Sequence, residues 1–287
     1  MPIYSNANLK ENLKQVLKSQ VAVLKLKPKL QIVLVGQHLP SIKYSKIKQK
    51  IGTELGLEVI LHVFDKNTIQ TKILDQINQN PGSGLIYQLP LPPQLTGIIH
   101  DTDWDNFLDV DFLQDHKDKL FKKGLLPPTI QAIDLVWKDI NQTLSLKDTQ
   151  TPIFFANRID LQGVTVGVIG QGRLVGSFLL DYLRQRDATI ISLNQYSNYP
   201  SELTKQCRVL IAASGRGKLV DFNWINFNTK LVIDAGTSEA DGFLEGDVDP
   251  DVLKTWPDLN LVTSPGGIGP ITVLCLFWNL IRMSTKA

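Results

Sequence analysis

The chain has 287 residues, 43% hydrophobic and 20% charged, with a formal net charge of +2. That is enough length for one large domain or two ordinary ones with buried cores, and it excludes a disulfide-stapled miniprotein and a disordered tail. The near balance of charge excludes a dedicated nucleic-acid binder. Two cysteines, Cys207 and Cys275, form no framework and fit a reducing, cytoplasmic compartment. Four histidines (His38, His62, His100, His116) share no metal-ligand spacing, so no metal is expected. The start, MPIYSNANLKENL, lacks the apolar core of a signal peptide. The apolar stretch near Ile271–Ile281 is too short to span a bilayer. The expectation is a soluble, cytoplasmic protein with no membrane partner.

Residues 1–50 hold ten lysines and one acid, a segment charge of +9 against −7 for the rest. This reads either as a solvated face or as a surface steering an anionic substrate. Leu9, Leu13, Leu17, Val21 and Leu24 recur at helical spacing, predicting a helix from Leu9 to about Leu26. Gln31–Val35 is a short apolar run closed by Gly36, a buried strand. A helix follows from Ser41, as N-cap, to Gly56, as stop. Leu57–Phe64 is a second strand, Thr68–Gln79 a helix, and Gly84–Tyr87 a third strand. Alternating strands and helices predict a parallel sheet covered on both faces.

Residues 101–128 read as irregular, and a helix is expected from Pro127-Pro128-Thr129 to Ile140. The polar stretch 141–160 marks the domain junction. A second α/β pattern begins at Gly163, with strands Val164–Ile169, Ala188–Leu193, Val209–Ala213, Leu231–Ala235 and Leu259–Thr263, and an apolar helix from Pro270. The fold class is therefore α/β in two domains. A three-layer catalytic domain spans 1–145 plus 270–287. A Rossmann-like dinucleotide-binding domain spans 146–269, and a cleft is expected between the two.

Two patterns carry chemistry. Val166-Gly-Val-Ile-Gly170-Gln171-Gly172-Arg173-Leu-Val-Gly176 is strand, glycine turn, helix, with the next strand at βαβ distance. Glycines there let a pyrophosphate approach backbone N–H groups at a helix start. Asn194 and Gln195, after the next strand, leave the cofactor's 2′ substituent open, since neither is charged. Arg173 reads equally as a phosphate partner and as a solvated helix residue. In the second pattern, Tyr44 and Lys48 lie four apart on one helix face. A desolvated lysine exchanges protons near neutrality, but by spacing alone Lys48 reads as one surface lysine among several.

These residues resemble a family. Val35-Gly36 through Ser41, Tyr44 and Lys48 is similar to the V-G-x(4)-S-x-x-Y-x-x-x-K signature of the bifunctional methylenetetrahydrofolate dehydrogenase/cyclohydrolases. Gln88-Leu-Pro-Leu91, Asp109-Val-Asp111, Pro127-Pro-Thr129, Gly170–Gly176, Ile233-Asp-Ala-Gly236, Gly246-Asp-Val248 and Pro265-Gly-Gly-Ile-Gly-Pro-Ile-Thr272 match its other blocks in order. The resemblance implies oxidation of 5,10-methylenetetrahydrofolate with NADP or NAD, then hydrolysis to 10-formyltetrahydrofolate. It makes Lys48 the acid/base group and has Gln88 hold it. Tyr44 is set beside the pterin, and Asp111 accepts the pterin's amino-pyrimidine donors. Pro265, Gly266, Gly267 and Thr272 are implied on the substrate. Gly170, Gln171, Gly172, Arg173, Gly176, Gln195 and Thr237 are implied on the cofactor. Without the resemblance Asp111 reads as a solvated loop acid. The partners implied are the folate and a second copy, as a homodimer through the cofactor domain.

The departures are specific. Phe112 follows Asp111 where the family has Gly, and PPTI replaces P-C-T-P. Gln171 and Gly172 stand where the family has Arg and Ser, and Gln195 stands near a frequent Ser or His. Loss of that Arg and hydroxyl predicts a weakened preference for NADP. A dehydrogenase-only enzyme and a non-catalytic dinucleotide- or folate-binding paralogue are the alternatives; the first should lose Lys48 or Gln88, and both are present.

Overall fold

A computed structural model describes residues 3–114, 125–141, 159–240 and 243–285. The chain forms two compact units: Leu13–Pro128 with Val273–Ala287, and Met1–Asn12 with Thr129–Thr272. Most of the expected junction at 141–160 lies outside the described residues. So do 115–124 of the stretch after Asp111.

The unit built on Leu13–Pro128 holds a parallel sheet of β1 (Lys29–Val35), β2 (Glu58–Phe64), β3 (Gly84–Tyr87) and β4 (Leu108–Asp109), ordered β2-β1-β3-β4. After Lys29 every residue of β1 is buried, as expected for a strand covered on both faces. Val33, Val35, Leu85 and Tyr87 pack with Ile73 and Ile77 of α3 (Gln70–Ile77). Elsewhere in this unit, Gly52 of α2 (Leu39–Glu54) lies so close to its neighbours that an added Cβ would come within 2.3 Å of Val59 and 2.7 Å of Phe277.

Two predicted boundaries shift for visible reasons. The helix α2 begins at Leu39 with Pro40 in its first turn, so Ser41 is inside it and not its N-cap. Proline fits a first turn, where its missing N–H has no helical partner. Helix α1 (Ala7–Ala22) ends before Leu26. Val23 and Leu26 are 80% and 87% exposed. Pro28 biases the preceding residue away from helix, so apolar spacing alone does not carry the element on.

The other unit holds β5 (Thr165–Ile169), β6 (Thr189–Leu193), β7 (Val209–Ala212), β8 (Leu231–Asp234) and β11 (Asn260–Val262), all parallel, in the order β11-β8-β7-β5-β6. An antiparallel hairpin of β9 (Ser238–Ala240) and β10 (Phe243–Glu245) was not foreseen from the sequence. Helix α5 (Pro128–Ile140) carries Asp134 and Lys138, a buried pair 2.6 Å apart. Asp134 also accepts a hydrogen bond from the Tyr182 hydroxyl of α6 (Gly176–Arg184), and the Arg186 guanidinium sits 4.7 Å from the Tyr182 ring centre. Asp134 and Lys138 are thereby paired, the condition for burying a charge. The last helix, α9 (Ile268–Ser284), starts two residues before Pro270. Among the described residues no helix is long and apolar enough to cross a membrane.

Candidate functional site

Lys48 does not lie on the exposed face of α2. It is 8% exposed, and its Nζ donates to Gln88 Oε1 at 2.9 Å. Gln88 follows β3 directly, and its N–H donates to Val33 O at 2.9 Å, so the sheet itself fixes the acceptor. Burial lowers the Lys48 pKa below the ordinary lysine value, while the charge of Asp111 pulls it back up. Burial raises the Asp111 carboxyl, opposed by Lys48. Tyr44 is half-buried, one turn before Lys48. Ser41 Oγ donates to Leu89 O at 2.9 Å and meets His38 Nδ1 at 2.8 Å, tying the start of α2 to the chain after β3. Between Ser41 and Lys48, the buried Ser45 hydroxyl has no hydrogen-bond partner among the described residues.

Asp111 is presented by a loop organised from two sides. The N–H groups of Phe112, Leu113 and Gln114 donate to the Asp109 carboxylate, the last two at 2.8 Å. Burial pushes Asp109 up to about 6 in spite of them, and the charge of Asp111 adds to the rise. From α9, Asn279 Nδ2 donates to Val110 O at 3.1 Å and Leu126 O at 3.0 Å. Phe112 has φ +59°, in the left-handed region that favours glycine. A side chain there costs about 1–2 kcal/mol. The Phe112 ring is 2% exposed, and burying such a ring contributes about 1.5–3 kcal/mol, so packing outweighs the backbone strain. Neither Asp109 nor Asn279 was assigned a role from the sequence; both act through backbone, which side-chain motifs do not report.

In the second unit, the loop after β5 is set by glycine. Gly170 has φ +99°, and a Cβ there would lie 2.4 Å from Ala213 O; a Cβ on Gly176 would lie 2.2 Å from Gly170 O. A cavity of about 450 Å³ opens at the carboxyl ends of β5, β6 and β7, lined by Gly170, Gln171, Gly172, Asn194, Gln195 and Arg216 among others. That is where open parallel sheets bind nucleotides. Gln171 Nε2 donates to Ser192 Oγ at 2.8 Å, and Asn194 Nδ2 to Gln171 Oε1 at 3.3 Å, so neutral amides bridge the β5 and β6 loops. Arg173 and Thr237 do not line this cavity; Thr237 Oγ1 meets Ser264 Oγ at 3.2 Å.

The loop after β7 rests on two buried acids. Asp247 Oδ2 accepts from the Ser214 N–H, from Ser214 Oγ at 2.8 Å and from the Gly215 N–H at 3.1 Å. Asp234 accepts from the N–H groups of Gly236, Asp247 and Val248. Burial pushes Asp234 up to about 7 despite these donors, with Asp247 adding to the rise. A Cβ on Gly236 would fall 2.0 Å from Asp247, and one on Gly246 2.0 Å from Asp234. The blocks Ile233–Gly236 and Gly246–Val248 thus form a scaffold under the β7 loop.

The Pro265–Gly267 turn is held by Asn6, whose Nδ2 donates to Gly266 O at 2.7 Å and Gly267 O at 2.5 Å. Gly266 has φ +104°. Thr272 Oγ1 donates to Ile268 O at 3.1 Å inside α9. Among the described residues, no group of three His, Cys, Asp or Glu side chains forms a metal cluster.

Comparison with known proteins gives the family. Residues 5–103 match the model of the tetrahydrofolate dehydrogenase/cyclohydrolase catalytic domain, and residues 150–287 that of its NAD(P)-binding domain. The chain is 30% identical to the bifunctional protein FolD of Hydrogenobaculum sp. (strain Y04AAS1), over 98% of each chain. It is 31% identical to that of Acholeplasma laidlawii, over 96% of this chain and 95% of the relative. Its fold is that of the FolD methylenetetrahydrofolate dehydrogenase/cyclohydrolase of Campylobacter jejuni, at a TM-score of 0.81 and 23% identity over 99% and 98% of the two chains. The Trypanosoma brucei enzyme, solved with NADP and an inhibitor, also has a TM-score of 0.81, at 21% identity over 99% of this chain and 98% of that one. With both domain models matched in order and relatives at this identity over nearly its whole length, the chain belongs to the tetrahydrofolate dehydrogenase/cyclohydrolase family.

Proposed function

We propose that the protein oxidises 5,10-methylenetetrahydrofolate to the 5,10-methenyl cation with a nicotinamide dinucleotide, then hydrates that cation to 10-formyltetrahydrofolate. The observation that carries this reading is the buried Lys48 amine held on Gln88. Hydration of the cation adds water to the one-carbon unit and releases a proton, which a neutral amine accepts. Desolvation favours the neutral form of Lys48. One N–H of that amine is committed to Gln88 Oε1, which leaves its lone pair for the proton. Tyr44, on the same helix face, borders the pterin, and the Asp111 carboxylate takes the pterin's paired N–H donors.

The bound nicotinamide supplies the acceptor for the hydride that leaves the methylene carbon. The residues present fit such a dinucleotide. Gly170 leaves a cradle that a Cβ would fill, Gly172 has open space around it, and the cavity has the volume for a nucleotide half. Gln195 and Gln171 line the cavity, and no carboxylate among its described lining residues opposes a 2′-phosphate. The family's Arg and Ser are absent from the β5 loop, so both NADP and NAD are used, with NADP favoured only modestly. Gly266 and Gly267 let backbone pass close to a bound ligand. Assembly as a cytoplasmic homodimer belongs to the same reading; light scattering of the purified chain checks the dimer.

The test is an assay on 5,10-methylenetetrahydrofolate with each dinucleotide, following methenyl formation and its decay. Turnover with both cofactors and accelerated decay are expected. Formation without accelerated decay would leave a dehydrogenase alone, and binding without turnover would leave a sensor. A preference for NADP beyond about a hundredfold would mean a full set of 2′-phosphate partners, against the loop seen here.

The Lys48–Asp111 pair gives a pH prediction. Hydration should rise with pH as Lys48 loses its proton, along a limb below the ordinary lysine range. Asp111 favours the ammonium form, so Asp111→Asn should shift that limb to lower pH, although it weakens folate binding. A pH profile of hydration kcat measures this; a limb that stays in place or moves to higher pH removes Asp111 from the coupling.

A further inference from the structure

Among the described residues lining the dinucleotide cavity, Arg216 is the only charged one. It follows β7, while the family's expected cation lies on the β5 loop, where Gln171 now stands. The Gln171 amide is already engaged with Ser192 and Asn194. Arg173, the other nearby cation in the sequence, does not line the cavity. The backbone that presents Arg216 is fixed: its N–H donates to Ser214 Oγ at 3.3 Å, and Ser214 and Gly215 are anchored on Asp247. Asp247 is in turn set by Asp234, whose carboxylate accepts from the N–H groups of Asp247 and Val248. The cavity wall is otherwise amide, hydroxyl, glycine and apolar, with no acid to neutralise the guanidinium.

We propose that Arg216 is the specificity-determining residue for the cofactor, receiving the 2′-phosphate of NADP from the β7 side of the pocket. The assignment rests on the dinucleotide reading and deepens it. Arginine presents a planar fork of donors matched to phosphate, and it is always charged. Arg216 is exposed, so solvent screens the contact. The resulting discrimination is modest and salt-sensitive, in keeping with use of both cofactors.

Adenosine 2′,5′-bisphosphate and 5′-AMP differ only in the 2′-phosphate, so calorimetric titration of the full chain with each isolates that group. The wild type should bind the bisphosphate about tenfold more tightly, with the ratio falling as salt rises. In Arg216→Gln the ratio should drop to near one, and Arg216→Lys should keep part of it. The NADP-to-NAD ratio of kcat/KM should follow the same order. An unchanged ratio in Arg216→Gln overturns the assignment. An equal loss for both nucleotides also overturns it, because that places the guanidinium on the 5′-phosphate. Equal binding of the two by the wild type overturns the assignment alone. Failure of the wild type to bind either nucleotide overturns it together with the dinucleotide reading.

Discussion

Lys48→Met should lower the rate of methenyl hydration by about 10²–10⁴-fold, the range a positioned acid/base group contributes. Dehydrogenation, whose hydride goes to the nicotinamide, should fall far less. The two activities then separate in one assay: methenyl accumulates and decays at its uncatalysed rate. Folding should survive, because methionine keeps the aliphatic length of lysine at a site that is 8% exposed. The substitution removes a desolvated amine but leaves Gln88 Oε1 without its donor. An unpaired buried acceptor costs about 1–3 kcal/mol; Gln88 is only half-buried, so its cost falls at or below the low end, and the lost amine desolvation offsets part of that. A melting temperature within a few degrees of wild type is the accompanying check. Hydration at the wild-type rate in this variant would remove Lys48 from the mechanism and would leave its burial to be explained by structure alone.

How much of this was legible in the sequence depended on which forces acted locally. Strands β1, β5 and β7 were plain because a strand buried on both faces must be apolar nearly throughout. The first-turn position of Pro40 is equally readable, and it excludes Ser41 as the cap. Ser41 instead donates to Leu89 O, a contact made across 48 residues that no local pattern encodes. The burial of Lys48 is of the same kind. Its helix also carries the exposed Lys43, Lys46 and Lys50, and only the carboxyl end of β3 at Gln88 distinguishes it. The motif order of the resemblance supplied what spacing did not.

The parts that were missed act through backbone. Asn279 holds two carbonyls and Asp109 three N–H groups, contacts that a pattern of side-chain types does not encode. Asp247 was seen as part of a motif without its task, which is to fix Ser214 and Gly215. Arg216 was visible as an arginine directly beyond a strand's carboxyl end. The general rule that ligands sit at such ends would have marked it, but its glycine-flanked turn offered no spacing to match. The departure at Phe112 was visible, and its physical resolution was not. A left-handed residue paid for by ring burial is a tertiary fact.

Gly170→Ala and Gly172→Ala should differ sharply although they lie two residues apart. At Gly170 the φ of +99° is strained for any side chain, and the new Cβ would lie 2.4 Å from Ala213 O and 2.7 Å from its carbonyl carbon. Those atoms are backbone at the end of β7, so the sheet or the loop must move. A loss of roughly 3–5 kcal/mol is expected, the size reserved for forced backbone conflict. For a unit of this size that lowers the melting temperature by about 10 °C, and dinucleotide binding should vanish with the loop's shape. At Gly172 an added methyl meets nothing within 4 Å, so stability should change by less than about 0.5 kcal/mol, as at an ordinary surface position. Its cost appears only when a pyrophosphate approaches the loop backbone: a rise in KM for both dinucleotides, with the melting temperature unchanged in their absence. Thermal melts with and without NADP, beside KM for each cofactor, separate the two roles. Equal destabilisation by both substitutions, or an unaltered cofactor KM in Gly172→Ala, would mean that the pyrophosphate does not lie against this turn.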